Sequence, residues 1–165
     1  MSIKWLQFAV DPGHAAQEKW TLFLSDIYVV SYEKGKNAAH IFDHHALLRR
    51  HAFDHAPTLT KAVSRSAAMI RYLDLQDSKR DAPNENFARE LFELFVLGEG
   101  NYTERDIKEA ARAFTGYRQR LGEFYFAERQ HDNRTKTVFG KSGAFSGDDV
   151  IDLAYKQPAA GTYLP

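Results

Sequence analysis

The chain has 165 residues, 44% of them hydrophobic, with 22 Lys plus Arg balanced by 22 Asp plus Glu and no cysteine. This length suits one domain that buries roughly two-thirds of its unfolded surface. The zero formal net charge argues against a general nucleic-acid binder, because phosphate contacts need a basic excess. The missing thiols exclude disulfides, zinc–thiolate sites and a cysteine nucleophile.

The first ten residues, from Met1 to Val10, hold too short an apolar run for a signal peptide. No stretch approaches the ~20 apolar residues of a membrane span, so no membrane partner is expected, and the compartment stays unassigned. Asp11-Pro12-Gly13 reads as a turn that launches a helix from His14 to about Ser31, with Trp20, Phe23, Leu24, Ile27 and Tyr28 at helical spacing. Lys34-Gly35-Lys36-Asn37 breaks the chain before a second helix from about Ala38 to His55. Pro57 is expected to end that segment. Thr58 or Thr60 then caps a third helix running through Val63, Ala67, Ile70 and Leu73.

The stretch 83–116 is the most informative. A fourth helix starts near Asn84, with Phe87, Leu91, Leu94 and Phe95 as its apolar stripe, and Gly98 is placed to close it. Thr103-Glu104-Arg105-Asp106 has the spacing of a capping box and opens a fifth helix, whose inward face is Ile107, Ala110, Ala111 and Phe114. After Gly122 the pattern changes. Phe124–Phe126 and Thr137–Phe139 are β-prone and predict a small hairpin or ribbon over 123–139, with His131 and Asp132 between its arms. A short helix follows from Asp148 to Lys156, capped by Ser146 or Asp148. The fold class is therefore mainly α, about five to six helices with one small hairpin, as a single domain over 1–165.

The fourth helix carries the chemistry worth weighing. At about 100° per residue, Asn86, Arg89, Glu90 and Glu93 share one face. Glu90 and Glu93 are three apart, so their carboxylates are neighbours that could hold a hard cation or share a proton. His131 and Asp132 could add ligands from the ribbon. The competing reading is a solvated face, or carboxylates paired with Arg89 and Arg112 to lock two helices. Asn84, Glu85 and Asn86 follow Pro83 at a helix start, where they suit capping, or where free N–H groups could bind an anion. His40, His44, His51 and His55 fall within a sector of about 60° on the second helix. That sector reads as a polar, solvated face, with a pH-responsive contact as the next choice. No Gly-x-Ser-x-Gly, phosphate-binding loop or dinucleotide fingerprint occurs.

Pro83 through Gly98, Gly100 through Asp106 and Ala110 through Tyr117 resemble the signature of a bacterial family called domain of unknown function 1800. The resemblance extends to Glu18–Phe23, Leu48–Ala52, Ala68–Asp74, His131-Asp132, Lys136-Thr137, Gly140 and Gly147–Val150. It implies a mostly helical protein of no established family-level activity. Members are typically longer, often look exported, and often sit beside sulfatase-like proteins. The chain resembles their middle portion, as a fragment or reduced version of a longer member. Two departures stand out. Relatives tend to carry Trp and two His where this chain has Leu24-Ser25-Asp26-Ile27-Tyr28, and Gly where it has Arg134.

These readings lead to two expectations. One is a non-catalytic module that binds a protein partner or itself. The other is a metal-assisted hydrolase with Glu90, Glu93, His131 and Asp132 as its catalytic residues, in which the carboxylates and the imidazole, with Glu90, Glu93 and His131 as the named ligands, hold a divalent ion that activates water. Asn84, Glu85, Asn86, Arg89 and Arg112 are the candidate binding residues around them.

Overall fold

The computed structural model describes residues 10–163. Nine helices are named among them: α1 (Ala15–Ile27), α2 (Tyr32–Gly35), α3 (Ala38–Arg50), α4 (Ala56–Ser64), α5 (Ala67–Tyr72), α6 (Asn86–Glu90), α7 (Glu104–Ala113), α8 (Gly147–Ala154) and α9 (Ala160–Tyr163). The mainly α class read from sequence is the class observed. No helix among the described residues is long and apolar enough to cross a membrane.

Local chemistry sets several helix starts. The Asn37 side chain accepts the Ala39 and His40 N–H groups at the head of α3. Full capping boxes, Thr103 with Asp106 and Ser146 with Asp149, open α7 and α8. Pro57 does not terminate a helix. It sits in the first turn of α4, where its fixed φ is preorganised and its missing N–H would have no partner anyway. The expected third helix is two helices, α4 and α5, separated at Arg65–Ser66.

α6 continues into a π-helical turn, Leu91–Val96, in which the Leu97 N–H reaches back five residues to the Phe92 carbonyl at 2.9 Å. This continuous segment is the centre of the core. Phe87, Ala88, Leu91, Phe92, Phe95, Val96 and Leu97 are all buried. Leu94, expected in the apolar stripe, is instead exposed. Gly98 (φ 76°) takes the left-handed conformation that ends the segment. A chain of rings runs outward from it: Tyr28 to Phe95 at 5.0 Å, Phe87 to Phe114 at 4.7 Å, Phe114 to Tyr117 at 5.4 Å and Tyr117 to Phe124 at 5.3 Å. Such offset and edge contacts add stabilisation beyond area burial.

Both β-prone stretches are strands, but they do not pair with each other. β2 (Glu123–Phe126) pairs antiparallel with β1 (Tyr117–Arg120), and β3 (Lys136–Val138) pairs with β4 (Lys141–Gly143). Among the described residues two small hairpins thus stand in place of one long ribbon. The first turns through Leu121 and Gly122, both at positive φ (53° and 92°), the backbone of a tight two-residue hairpin loop.

The histidine stripe is not a solvated face. His40 and His44 are buried, and His44 bonds Ser66 Oγ through Nδ1 at 2.8 Å and the Tyr28 carbonyl through Nε2 at 2.9 Å. Only the far end of the stripe is polar surface, with His51 pairing Asp54 at 2.7 Å and His55 exposed before α4. The four rings therefore sit in different environments.

Candidate functional site

The acidic flank of α6 is half-buried, and the elements that cover it differ from those expected. Asn86, Glu90 and Leu94 recur every four residues and line one wall of a cleft of about 650 Å³. The opposite wall comes from Asp26, Ile27 and Val29 at the end of α1, Lys34 of α2, Tyr72 and Leu73 at the end of α5, and Tyr163 of α9. The size falls within the roughly 300–1,000 Å³ of typical ligand clefts, and the mix of apolar walls with a few polar groups is also typical.

Lys34 enters this cleft already paired. Its Nζ lies 2.9 Å from Asp74 Oδ2 and 5.6 Å from the centre of the Tyr72 ring. Asn86 Nδ2 donates to the same Asp74 oxygen at 3.1 Å. Glu90 makes none of the ion pairs or side-chain hydrogen bonds found among the described residues, and burial together with the neighbouring Glu93 raises its pKa. Glu93 points elsewhere and accepts the Tyr102 hydroxyl proton at 3.0 Å. Burial and that carboxylate push the Tyr102 phenol up to about 12.

The ribbon residues lie at a separate place. The His131 Nδ1–H donates to the Thr115 carbonyl at 2.9 Å, and its ring packs 5.1 Å from Phe126. Desolvation lowers its pKa. Asp132 is fully buried, and its carboxylate oxygens accept from Arg112 Nε (2.8 Å), Arg134 Nε (2.9 Å), Arg134 Nη2 (2.7 Å) and the Arg134 N–H (3.0 Å). The guanidinium groups hold that carboxyl far below the usual carboxylate range. With four donors on two oxygens, the group has no lone pair left to offer an ion. No group of three or more His, Asp or Glu side chains among the described residues could hold a metal ion. The expected set of Glu90, Glu93 and His131 is therefore not assembled, and Asp132 ties α7 to the loop before β3.

The binding candidates divide in the same way. Arg89 does not pair with Glu90 or Glu93. It grips Glu104 with two 2.8 Å bonds and reaches Glu85 at 3.4 Å, linking α6 to α7. Arg112 holds Glu109 at 2.9 Å as well as Asp132. Asn84 Oδ1 accepts the Asn86 N–H at 2.9 Å, so that donor is used locally and no anion need be invoked. Of the proposed set, only Glu90 and Asn86 face the cleft. Sequence reasoning missed its other wall, whose residues lie far apart in the chain. The i, i+4 spacing of Asn86, Glu90 and Leu94 was the one signal present.

No curated protein and no solved structure matches this chain. The family model described as a protein of unknown function, DUF1800, matches residues 1–165. That span covers every stretch that carried the resemblance, and the chain belongs to the DUF1800 family.

Proposed function

We propose that this chain is a non-catalytic helical module whose cleft beside α6 docks a partner protein. The observation that carries this reading is the exposure of apolar side chains around the cleft, with Val29, Leu94 and Tyr163 44%, 48% and 37% accessible. Large side chains left exposed around a concave surface mark interaction sites more often than scattered single ones do. Several of the ionisable groups singled out from the sequence are instead engaged in holding helices and loops together. Asp132, Arg112 and Arg89 are all committed to ion pairs within the chain.

A photo-reactive benzoylphenylalanine at position 94, compared with the same group at the exposed Phe42 on α3, tests the reading. The expected result is one defined adduct at position 94, reproduced with the purified partner and weakened by Val29→Arg. No adduct at position 94, or equal yields at 94 and 42, overturns it.

A further inference from the structure

We infer that the occupant of the cleft is a segment of a partner protein that inserts an apolar side chain flanked by a lysine or arginine, its cation meeting Glu90 and Asp26. This rests on the docking reading above and adds the chemistry of the partner.

The charge balance of the cleft supports it. Three carboxylates and one ammonium line or adjoin the site, and Lys34 is already held by Asp74 at 2.9 Å. Glu90 and Asp26 take part in none of the ion pairs found among the described residues, and the nearby Arg89, whose charge bears on Glu90, is itself gripped by Glu104 and Glu85. Glu90 is half-buried on an apolar wall, where an ionised carboxylate gains most from an incoming cation. Rings of Tyr72, Phe95 and Tyr163 complete the lining. Aromatic faces accept the methylene stem and head of Lys or Arg.

The shape favours a chain segment over a compact ligand. Leu22 lies one helical turn before Asp26 on α1 and is exposed. It therefore extends the apolar wall beyond the mouth of the cleft. A second copy of this chain is the poorer occupant. A two-fold dimer through this face would set the same acidic patch against itself, and like charges across an interface are unfavourable.

The test uses the full chain as bait for a displayed library of random short peptides, with wild type, Glu90→Lys and Leu94→Asp compared. Enriched wild-type binders should carry Lys or Arg beside apolar residues. Their affinity by calorimetry should fall about tenfold or more on Glu90→Lys, and the Glu90→Lys bait should select acidic peptides instead. Binders lost on Leu94→Asp but indifferent to Glu90→Lys overturn the basic partner while leaving the docking reading standing. No enrichment, or enrichment untouched by Leu94→Asp, overturns both. A dimer by sedimentation that Leu94→Asp dissolves assigns the cleft to a second copy and overturns the inference. Circular dichroism checks folding of each variant. Should Glu90→Lys fail to fold, Asp26→Lys on the exposed end of α1 carries the same comparison.

Discussion

Acid should unfold this protein partly through one imidazole. His44 is buried between α1 and α5, and desolvation lowers its pKa from 6.5 to about 4, only partly offset by the Tyr28 carbonyl. Its Nε2–H donates to that carbonyl and its Nδ1 accepts from Ser66, so the folded state selects the neutral ring. In the unfolded chain the ring protonates near 6.5. The unfolded state thus binds more protons between pH 6.5 and 4, and stability rises with pH across that window. The contribution is complete above pH 6.5 and is lost progressively as pH falls to about 4. At ~1.4 kcal/mol per pKa unit, the full loss is about 3 kcal/mol, of which about 2 kcal/mol falls between pH 7 and pH 5. Two other groups titrate nearby with opposite signs: His131, lowered by burial, adds to the loss, while Glu90, raised by burial, opposes it. The charge of the neighbouring His45 also lowers the His44 pKa. Urea unfolding at pH 7 and pH 5 for wild type and His44→Gln isolates the term, because glutamine can keep both hydrogen bonds without titrating. The wild type should lose about 2 kcal/mol more than the variant over this interval. Equal losses in both would refute the assignment of acid sensitivity to His44.

Other consequences follow from packing and capping. Asp132→Asn leaves Arg112 facing a neutral group in a buried pair, and should lower stability by about 3 kcal/mol in chemical denaturation. Gly147→Ala would place a Cβ 2.6 Å from the Phe114 ring and 2.5 Å from the Tyr117 hydroxyl, an overpacking loss of about 1–3 kcal/mol visible as a lower Tm. Phe92→Ala empties the centre of the π-helical turn and should cost about 3–5 kcal/mol. Thr103→Ala removes a side-chain cap bonded to Asp106 at 3.1 Å and should cost about 1 kcal/mol. An unchanged midpoint for any of these would contradict the contact it names.

The helix ends were legible because their signals are local. Thr103 with Asp106, and Gly98 after the apolar run, act within a few residues of chain. The hairpin pairing was not legible, because β1 reads Tyr-Arg-Gln-Arg, a poor strand by composition. It is held as one by long-range contacts. The buried Arg118 donates to the carbonyls of Leu75 and Ser78 at 3.0 and 2.8 Å, and the Gln119 N–H donates to Gln76 Oε1 at 3.0 Å. The turn at Leu121–Gly122 puts a leucine at positive φ, where sequence rules anticipate Asn, Asp or Gly. His44 looked like surface for a related reason, since its two partners lie 22 and 16 residues away. The flank of α6 was recognised as special, but its covering elements were misassigned. Spacing along one helix shows which side chains share a face, not which distant segment closes over them.

The most direct test of the docking cleft is a ¹H–¹⁵N titration of the labelled protein with a selected basic peptide. The account predicts that the largest shifts fall on Asp26, Val29, Glu90 and Leu94, and that they vanish in Glu90→Lys. Shifts centred instead on the exposed aromatics of β2, Tyr125 and Phe126, would contradict it.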